Sequence, residues 1–338
     1  MKLIKTEEAV GHILCHDMTQ IIKDEYKGAR FKKGHIVKAE DIPILLSMGK
    51  ENLYVWEFEE GMLHENDAAL RLCNICKNDN MSQSAVSEGK IELKAEIDGL
   101  FLVDTERLNK INSIDEIMIA TRHSGTAVNK GDKLCGTRVI PLIIKEDKLL
   151  QAEQIFNNIP ILKLEPFKLK TAGIITTGSE VYSGRIKDKF TPVLIDKLKA
   201  YSITVTEHII VDDSKENIKN AINTMRLKDV DIILCTGGMS VDPDDNTPGA
   251  IKDSGAEIIT YGAPVLPGAM FLLGYFGDKP IVGLPGCVMY SKATVFDLAL
   301  PKLAAKIKIT KEDFIKMGEG GLCLNCDVCT YPKCPFGK

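Results

Sequence analysis

No apolar run in this chain approaches the roughly 20 residues needed to cross a bilayer as a helix. Nor is there a basic excess: the formal net charge is −4 over 338 residues, whereas a nucleic-acid footprint needs a clustered basic face. The opening stretch MKLIKTEEAVGHIL carries acidic residues where a secretory leader would carry its apolar core. These absences argue against membrane and nucleic-acid partners and predict a cytoplasmic protein. What is present is ordinary for a globular chain: 44% hydrophobic and 27% charged residues, with length enough for two or three cores.

Cysteine is unevenly spread. Of ten cysteines, Cys323, Cys326, Cys329 and Cys334 crowd the end of the chain, and Cys73 and Cys76 form a separate C-x-x-C. In a reducing compartment such clustering indicates metal binding or redox chemistry rather than a disulfide framework. Cys15, Cys135, Cys235 and Cys287 stand alone and read as small buried apolar residues.

Residues 1–165 read as a smaller α+β region. Ile42, Leu45 and Leu46 make a helical stripe stopped at Gly49, and LYVWEF (53–58) is a short strand. A helix over 66–80 carries the first C-x-x-C. IELKAEI (91–97) and LFLVD (100–104) are strands about a turn at Asp98-Gly99, followed by strands at 117–121 and 137–144 and a helix over 146–157. A proline-bearing segment, NIPILKLEPFKLK, links this region to the next.

From 168 to 306 the periodicity changes. AGIITTG (172–178), VTEHIIV (205–211), VDIILCTGG (230–238) and KPIVGLPG (279–286) are short apolar runs bounded by glycine or acidic residues, and 190–201 and 214–226 between them read as helices. Strand alternating with helix predicts a three-layer α/β domain with a parallel sheet. Ligands of such sheets bind beyond the carboxyl ends of the strands. Those ends run into Thr176-Thr177-Gly178-Ser179-Glu180, Thr236-Gly237-Gly238-Met239-Ser240 and Leu284-Pro285-Gly286. Glycine lets backbone N–H groups approach an anion, and hydroxyls and helix N-termini add donors and positive potential. One such loop is as readily a tight turn; three at one edge predict a phosphate-grade site. Carboxylates beside it, Asp188, Asp212, Asp213, Asp242, Asp244 and Asp245, suit a Mg²⁺ ion bridging to phosphate, although Asp212-Asp213-Ser214 reads more naturally as a helix cap.

The pieces TTGSEV…SGRIKD, VDDSKENI and DVDIILCTGGMSVDPDDNT, continuing through YGAPVLPGAMF and KPIVGLPGCVMYSKATVFDLALPKL, resemble the MoeA/MogA/gephyrin family of molybdenum-cofactor biosynthesis. The opening TEEAVGHILCHDM is similar to the start of the longer, molybdate-inserting MoeA type. The resemblance implies catalytic roles for Asp245 and Asp188. It also implies pterin or phosphate contacts by Thr177, Gly178, Ser179, Glu180, Asp212, Gly237, Gly238, Ser240, Pro267, Gly268, Pro285 and Gly286. The chain departs from the pattern at Ser179, where the family has a carboxylate, at Leu266 and Ala269, where it has lysines, at Cys287-Val288 after the L-P-G, and at Phe190.

Residues 307–338 are predicted to form a Cys-rich tail, apart from a domain core that closes near Lys306. Its C-x2-C-x2-C-x4-C-P spacing suits one tetrahedral Zn²⁺ or a [4Fe–4S] cluster on Cys323, Cys326, Cys329 and Cys334. His123 with Arg122, and Lys130, Lys133 and Arg138, read as a structural loop and a solvated face. The resulting expectation is a homo-oligomeric molybdotransferase-like enzyme taking molybdopterin, or its adenylylated form, together with molybdate and Mg²⁺. The alternative is a non-catalytic carrier or sensor whose metal-loaded tail docks a partner molybdoenzyme.

Overall fold

The computed structural model describes residues 2–22, 26–55, 60–240, 242–243 and 245–338. Asp244 and the end of the 53–58 run lie outside the described residues. The chain divides into two compact units, one of residues 1–97, 103–124 and 130–164, the other of 98–102, 125–129 and 165–338. Among the described residues no helix is long and apolar enough to cross a membrane.

In the first unit, strand Lys2–Lys5 pairs antiparallel with Asn52–Val55, and Met18–Ile22 with Tyr26–Phe31. They enclose a small core of Ile4, Leu14, Met18, Phe31, Leu45 and Leu53. A helix, Glu65–Cys76, buries Ala68, Ala69, Leu72, Cys73, Ile75 and Cys76. It lies on a sheet whose strands run in the order 81–83, 90–95, 133–139, 117–121. Arg71 ties it to the helix Glu146–Phe156 through Glu146 at 2.6 Å and Glu153 at 2.7 Å. The Asp98-Gly99 turn does not close a hairpin. Lys90–Ala95 pairs instead with Met81–Gln83 and Lys133–Val139, while Gly99–Val103 pairs with Thr126–Val128. Two apolar runs in tandem satisfied the local signal, but each finds its partners elsewhere in the chain.

The second unit is the three-layer α/β domain. Its strands are β1 (Thr171–Thr177), β2 (Thr204–Val211), β3 (Ile232–Thr236), β4 (Glu257–Tyr261), β5 (Leu272–Phe276) and β6 (Lys279–Leu284), in the spatial order β2-β1-β3-β6-β5-β4. β1 pairs parallel with β2 and β3, and β3 with β6, whereas β5 runs antiparallel to both β6 and β4. The sheet is therefore mixed rather than wholly parallel: the Gly277-Asp278 turn folds β5 straight back onto β6, and no crossover is needed for an antiparallel pair.

Neighbouring strand residues point to opposite layers. Ile174, Leu234, Leu273 and Val282 face one core, with Leu194 and Leu198 of α1 (Phe190–Lys199) and Phe296 and Leu300 of α4 (Val295–Ala304). Ile175, Ile233, Leu272 and Ile281 face the other, with Ile218 and Ile222 of α2 (Lys215–Arg226) and Ile251 of α3 (Thr247–Asp253). A Thr294/Asp297 capping box starts α4, and a Thr310/Asp313 box starts α5 (Lys311–Lys316).

The core does not close at Lys306. Phe314 of α5 and Phe336 of the tail are buried in the same cluster as Phe271 and Phe296. The tail is stitched on by its backbone: Leu266 N–H donates to Gly321 O and Cys323 N–H to Leu266 O, both at 2.8 Å. The hydroxyl of half-buried Tyr331 donates to Asp297 O at 3.0 Å.

Candidate functional site

Because β1, β3 and β6 are adjacent, their carboxyl ends and following loops lie side by side. A cavity of about 470 Å³ opens there, lined by Thr176 and Thr177 at the end of β1, Thr236 and Gly237 at the end of β3, and Met289 beyond β6. Val181, Ile186, Lys187, Asp188, Lys189 and Phe190 form its remaining wall. Its lining combines three threonines, two lysines and the apolar side chains of Val181, Ile186, Phe190 and Met289.

The hydroxyls differ in how they are bonded. Thr176 Oγ1 donates to Asp188 Oδ2 at 2.9 Å and lies 2.9 Å from His208 Nε2. Since the Thr176 proton goes to Asp188, His208 Nε2 must carry the proton in that contact. Thr177 Oγ1 meets Thr247 Oγ1 at 3.3 Å, and Thr247 donates to Gly237 O at 2.8 Å. Thr236 is 1% exposed, and its Oγ1 has no hydrogen-bond partner among the described residues. A buried hydroxyl left without a partner costs about 1–3 kcal/mol, so a ligand reaching it from the cavity would satisfy it.

Asp188 sits at the cavity wall with both oxygens engaged. Oδ1 accepts from the N–H groups of Phe190 and Thr191 at 2.8 and 3.0 Å. Oδ2 accepts from the hydroxyls of Thr191 at 2.5 Å and Thr176 at 2.9 Å. Burial works against its ionisation, but the hydrogen bonds from Thr191, Thr176 and Phe190 outweigh it and hold the carboxyl below its ordinary range. Those four donors match the four lone-pair sites a carboxylate offers, and through the two N–H bonds Asp188 caps the start of α1.

The glycines of the β3 loop serve close packing. Gly237 has φ +86°, and a Cβ there would overlap the Thr177 carbonyl oxygen; Gly238 has φ +56° and abuts Thr247 Oγ1. Gly268 has φ +120° and lies against Val295 at the start of α4. Gly286 is exposed, with open space where a Cβ would stand.

Of the residues expected at the site, Thr177, Gly237 and Asp188 line the cavity. Gly178 begins the helical turn Ser179–Tyr182, where Ser179 N–H donates to Asp213 Oδ2 at 2.8 Å and Glu180 is exposed. Asp212 accepts from Ser214 N–H at 3.1 Å and from Asn217 Nδ2 at 2.9 Å, bonding the N-terminus of α2 while the Ser214 side chain makes no cap bond. Ser240 is exposed, and its carbonyl accepts from Tyr261. Asp245 is half-buried in the same loop, where Asp242 N–H points to its Oδ2 at 3.3 Å. Pro285 is buried just after β6, and Pro267 lines a different cavity, shared with the tail. Sequence reasoning missed Lys187, Lys189, Thr236 and His208. The alternation Lys187-Asp188-Lys189 was the available signal for the two ammonium groups. Among the described residues no group of three or more His, Cys, Asp or Glu side chains is arranged to hold a metal ion.

Cys73 and Cys76 lie buried on their helix beside Cys135. Burial pushes the Cys73 thiol up to about 11. A hydrogen bond with Cys135, then burial, holds Cys76 well above the ordinary thiol range. Thiols so held stay protonated and poorly nucleophilic, so this pair packs as small apolar side chains.

A mixed α/β sheet with hydroxyls, ammonium groups and tight glycine turns at the carboxyl ends of its strands belongs to the open α/β class, whose ligands bind at that edge. Residues 173–305 match the family described as “Probable molybdopterin binding domain”. Over that stretch the chain is similar to the proteins of molybdenum-cofactor biosynthesis. Residues 3–57 match a domain of unknown function. A “Putative molybdopterin biosynthesis protein” of Methanocaldococcus jannaschii is 28% identical over 195 residues, 53% of this chain and 46% of that protein. A CinA-like protein of Pseudothermotoga lettingae is 42% identical over 86 residues, 25% of this chain and 21% of its own length. The chain thus matches less than half the length of these relatives. Among solved structures, the molybdopterin biosynthesis enzyme MoaB of Thermus thermophilus is 19% identical, covering 42% of this chain and 99% of its own, with a TM-score of 0.35. CinA of Thermoplasma acidophilum is 19% identical, covering 40% and 98%, with a TM-score of 0.34.

Proposed function

We propose that the cavity at the ends of β1 and β3 binds molybdopterin or its adenylylated form, and that the protein works on this ligand in molybdenum-cofactor biosynthesis. The observation that carries the reading is the orphaned, buried hydroxyl of Thr236, a residue that lines the same cavity as Lys187 and Lys189. A phosphate oxygen would accept from that hydroxyl, and the ammonium groups would balance its charge. The family match over 173–305 supplies the ligand class.

The finer reading is a molybdotransferase-like step, in which positioning and charge stabilisation supply most of the rate. Asp188, with its oxygens filled by four donors, acts there as a positioning residue. It fixes Thr176 and the start of α1. Asp245 is the carboxylate assigned to Mg²⁺, because one or two carboxylates plus ligand phosphate suffice to hold that ion. The carrier reading keeps the same cavity and drops the transfer. Incubating the protein with molybdopterin, Mg²⁺ and molybdate separates the two, since only the enzyme releases a molybdenum-bearing pterin.

Thr236→Val tests the site itself. The change keeps shape but removes the unpaired hydroxyl. The ligand-free protein should gain about 1 kcal/mol of stability, while affinity for molybdopterin falls roughly 5- to 10-fold, the worth of one hydrogen bond. Calorimetric titration beside a thermal melt reads both. Unchanged affinity would remove this cavity as the pterin site.

A further inference from the structure

The cysteines of the tail are all unbridged, and all four rim a second cavity. This cavity, of about 260 Å³, is bounded by Cys323, Cys326, Cys329 and Cys334 on the tail and by Pro267, Tyr290, Lys292 and Ala293 on the α/β domain. The tail holds its shape through its own anchors: the Leu266 bridge to Leu322, the Tyr331 hydroxyl on Asp297, and Phe336 in the core. We propose that these four thiols ligate a [4Fe–4S] cluster seated in this cavity. The proposal stands apart from the pterin reading, because none of the four lines the cavity that contains Thr236.

Three observations favour a cubane over a single ion. One Zn²⁺ needs four sulfurs converging about 2.3 Å from a single point. Among the described residues no three such side chains are grouped about a single ion position; all four cysteines instead line one cavity. A cubane occupies volume between its ligands and takes them at its corners. The remaining wall is largely apolar, with Leu322, Leu324, Pro335 and Phe336 among its lining, and exclusion of water protects bridging sulfide and tunes the centre. Lastly, Lys292 lies on the cavity wall, where an ammonium would offset the net negative charge of a cluster on four thiolates.

Assembly balances without any further reagent. Ferrous and ferric iron in equal amounts, as many sulfide ions, and the four thiolates combine into a centre of net charge −2, and the four thiol protons leave to solvent.

The full chain, purified without oxygen or reconstituted with ferrous and ferric iron and sulfide, should hold about four iron and four sulfide per chain, with a broad band near ~400 nm. Cys326 and Cys329 are exposed, so Cys326→Ala and Cys329→Ala should fold, and their melting without metal should match that of the metal-free parent. Each variant should lose most of the bound iron and the visible band. A chain that carries one zinc and excludes iron overturns the proposal. So does iron that stays bound in the Cys326→Ala, Cys329→Ala double variant, and so does a metal-free chain after reconstitution.

Discussion

Two side chains in one cavity illustrate opposite states of a buried polar group. Thr236 has no partner and destabilises the ligand-free protein; Asp188 has four donors and stabilises it. Because hydrogen bonding holds the Asp188 carboxyl below its ordinary range, its stabilisation is complete above the unfolded value near 3.8 and disappears as pH falls through the lower folded value. Asp188→Asn should therefore cost about 2 kcal/mol at neutral pH, the worth of charge-assisted hydrogen bonds. Thermal melts from pH 7 to pH 3 should show a shallower acid-side fall in the variant than in the parent. Equal slopes would mean that this carboxylate does not contribute to acid sensitivity.

At the scale of strands and loops, the legible part was what local pattern encodes. The runs that became β1, β2, β3 and β6 are rich in β-branched or apolar residues and cut off by glycine or, for β2, by aspartate, and α1 and α2 follow their amphipathic stripes. β4 and β5 escaped because EIITY and LLGYF flank a glycine- and proline-rich segment that reads as one loop. The turn after Phe276 decides only the pairing of β5 with β6. The site was legible as three loops at one edge, but not in its detail. Nothing local reveals that Gly237 is needed for a close pass of the Thr177 backbone, or that Thr236 lacks a partner. The two kinds of loop glycine can be told apart. Gly237→Ala forces a side chain into the Thr177 carbonyl at φ +86° and should cost about 2–3 kcal/mol. Gly286→Ala meets open space and should stay within about 0.5 kcal/mol of the parent. Denaturant titration of both variants checks the contrast, and similar losses would contradict it.

At the scale of the second unit, the tail is part of the core. Sequence reasoning placed it outside because its spacing is metal-like and its apolar residues are sparse, yet Phe336 is 4% exposed among Phe271, Phe296 and Phe314. Phe336→Ala should therefore cost about 3 kcal/mol, measured as a fall in denaturation midpoint with unchanged slope; a loss below about 1 kcal/mol would detach the tail from the core. Burial of this phenylalanine also sets a schedule for biosynthesis. Domains fold as they leave the ribosome, N-terminal parts first, but one core of this domain lacks a wall until residue 336 has emerged. A nascent chain paused anywhere between Lys306 and Phe336 would present unfinished apolar surface around Phe296 and Phe314 to chaperones.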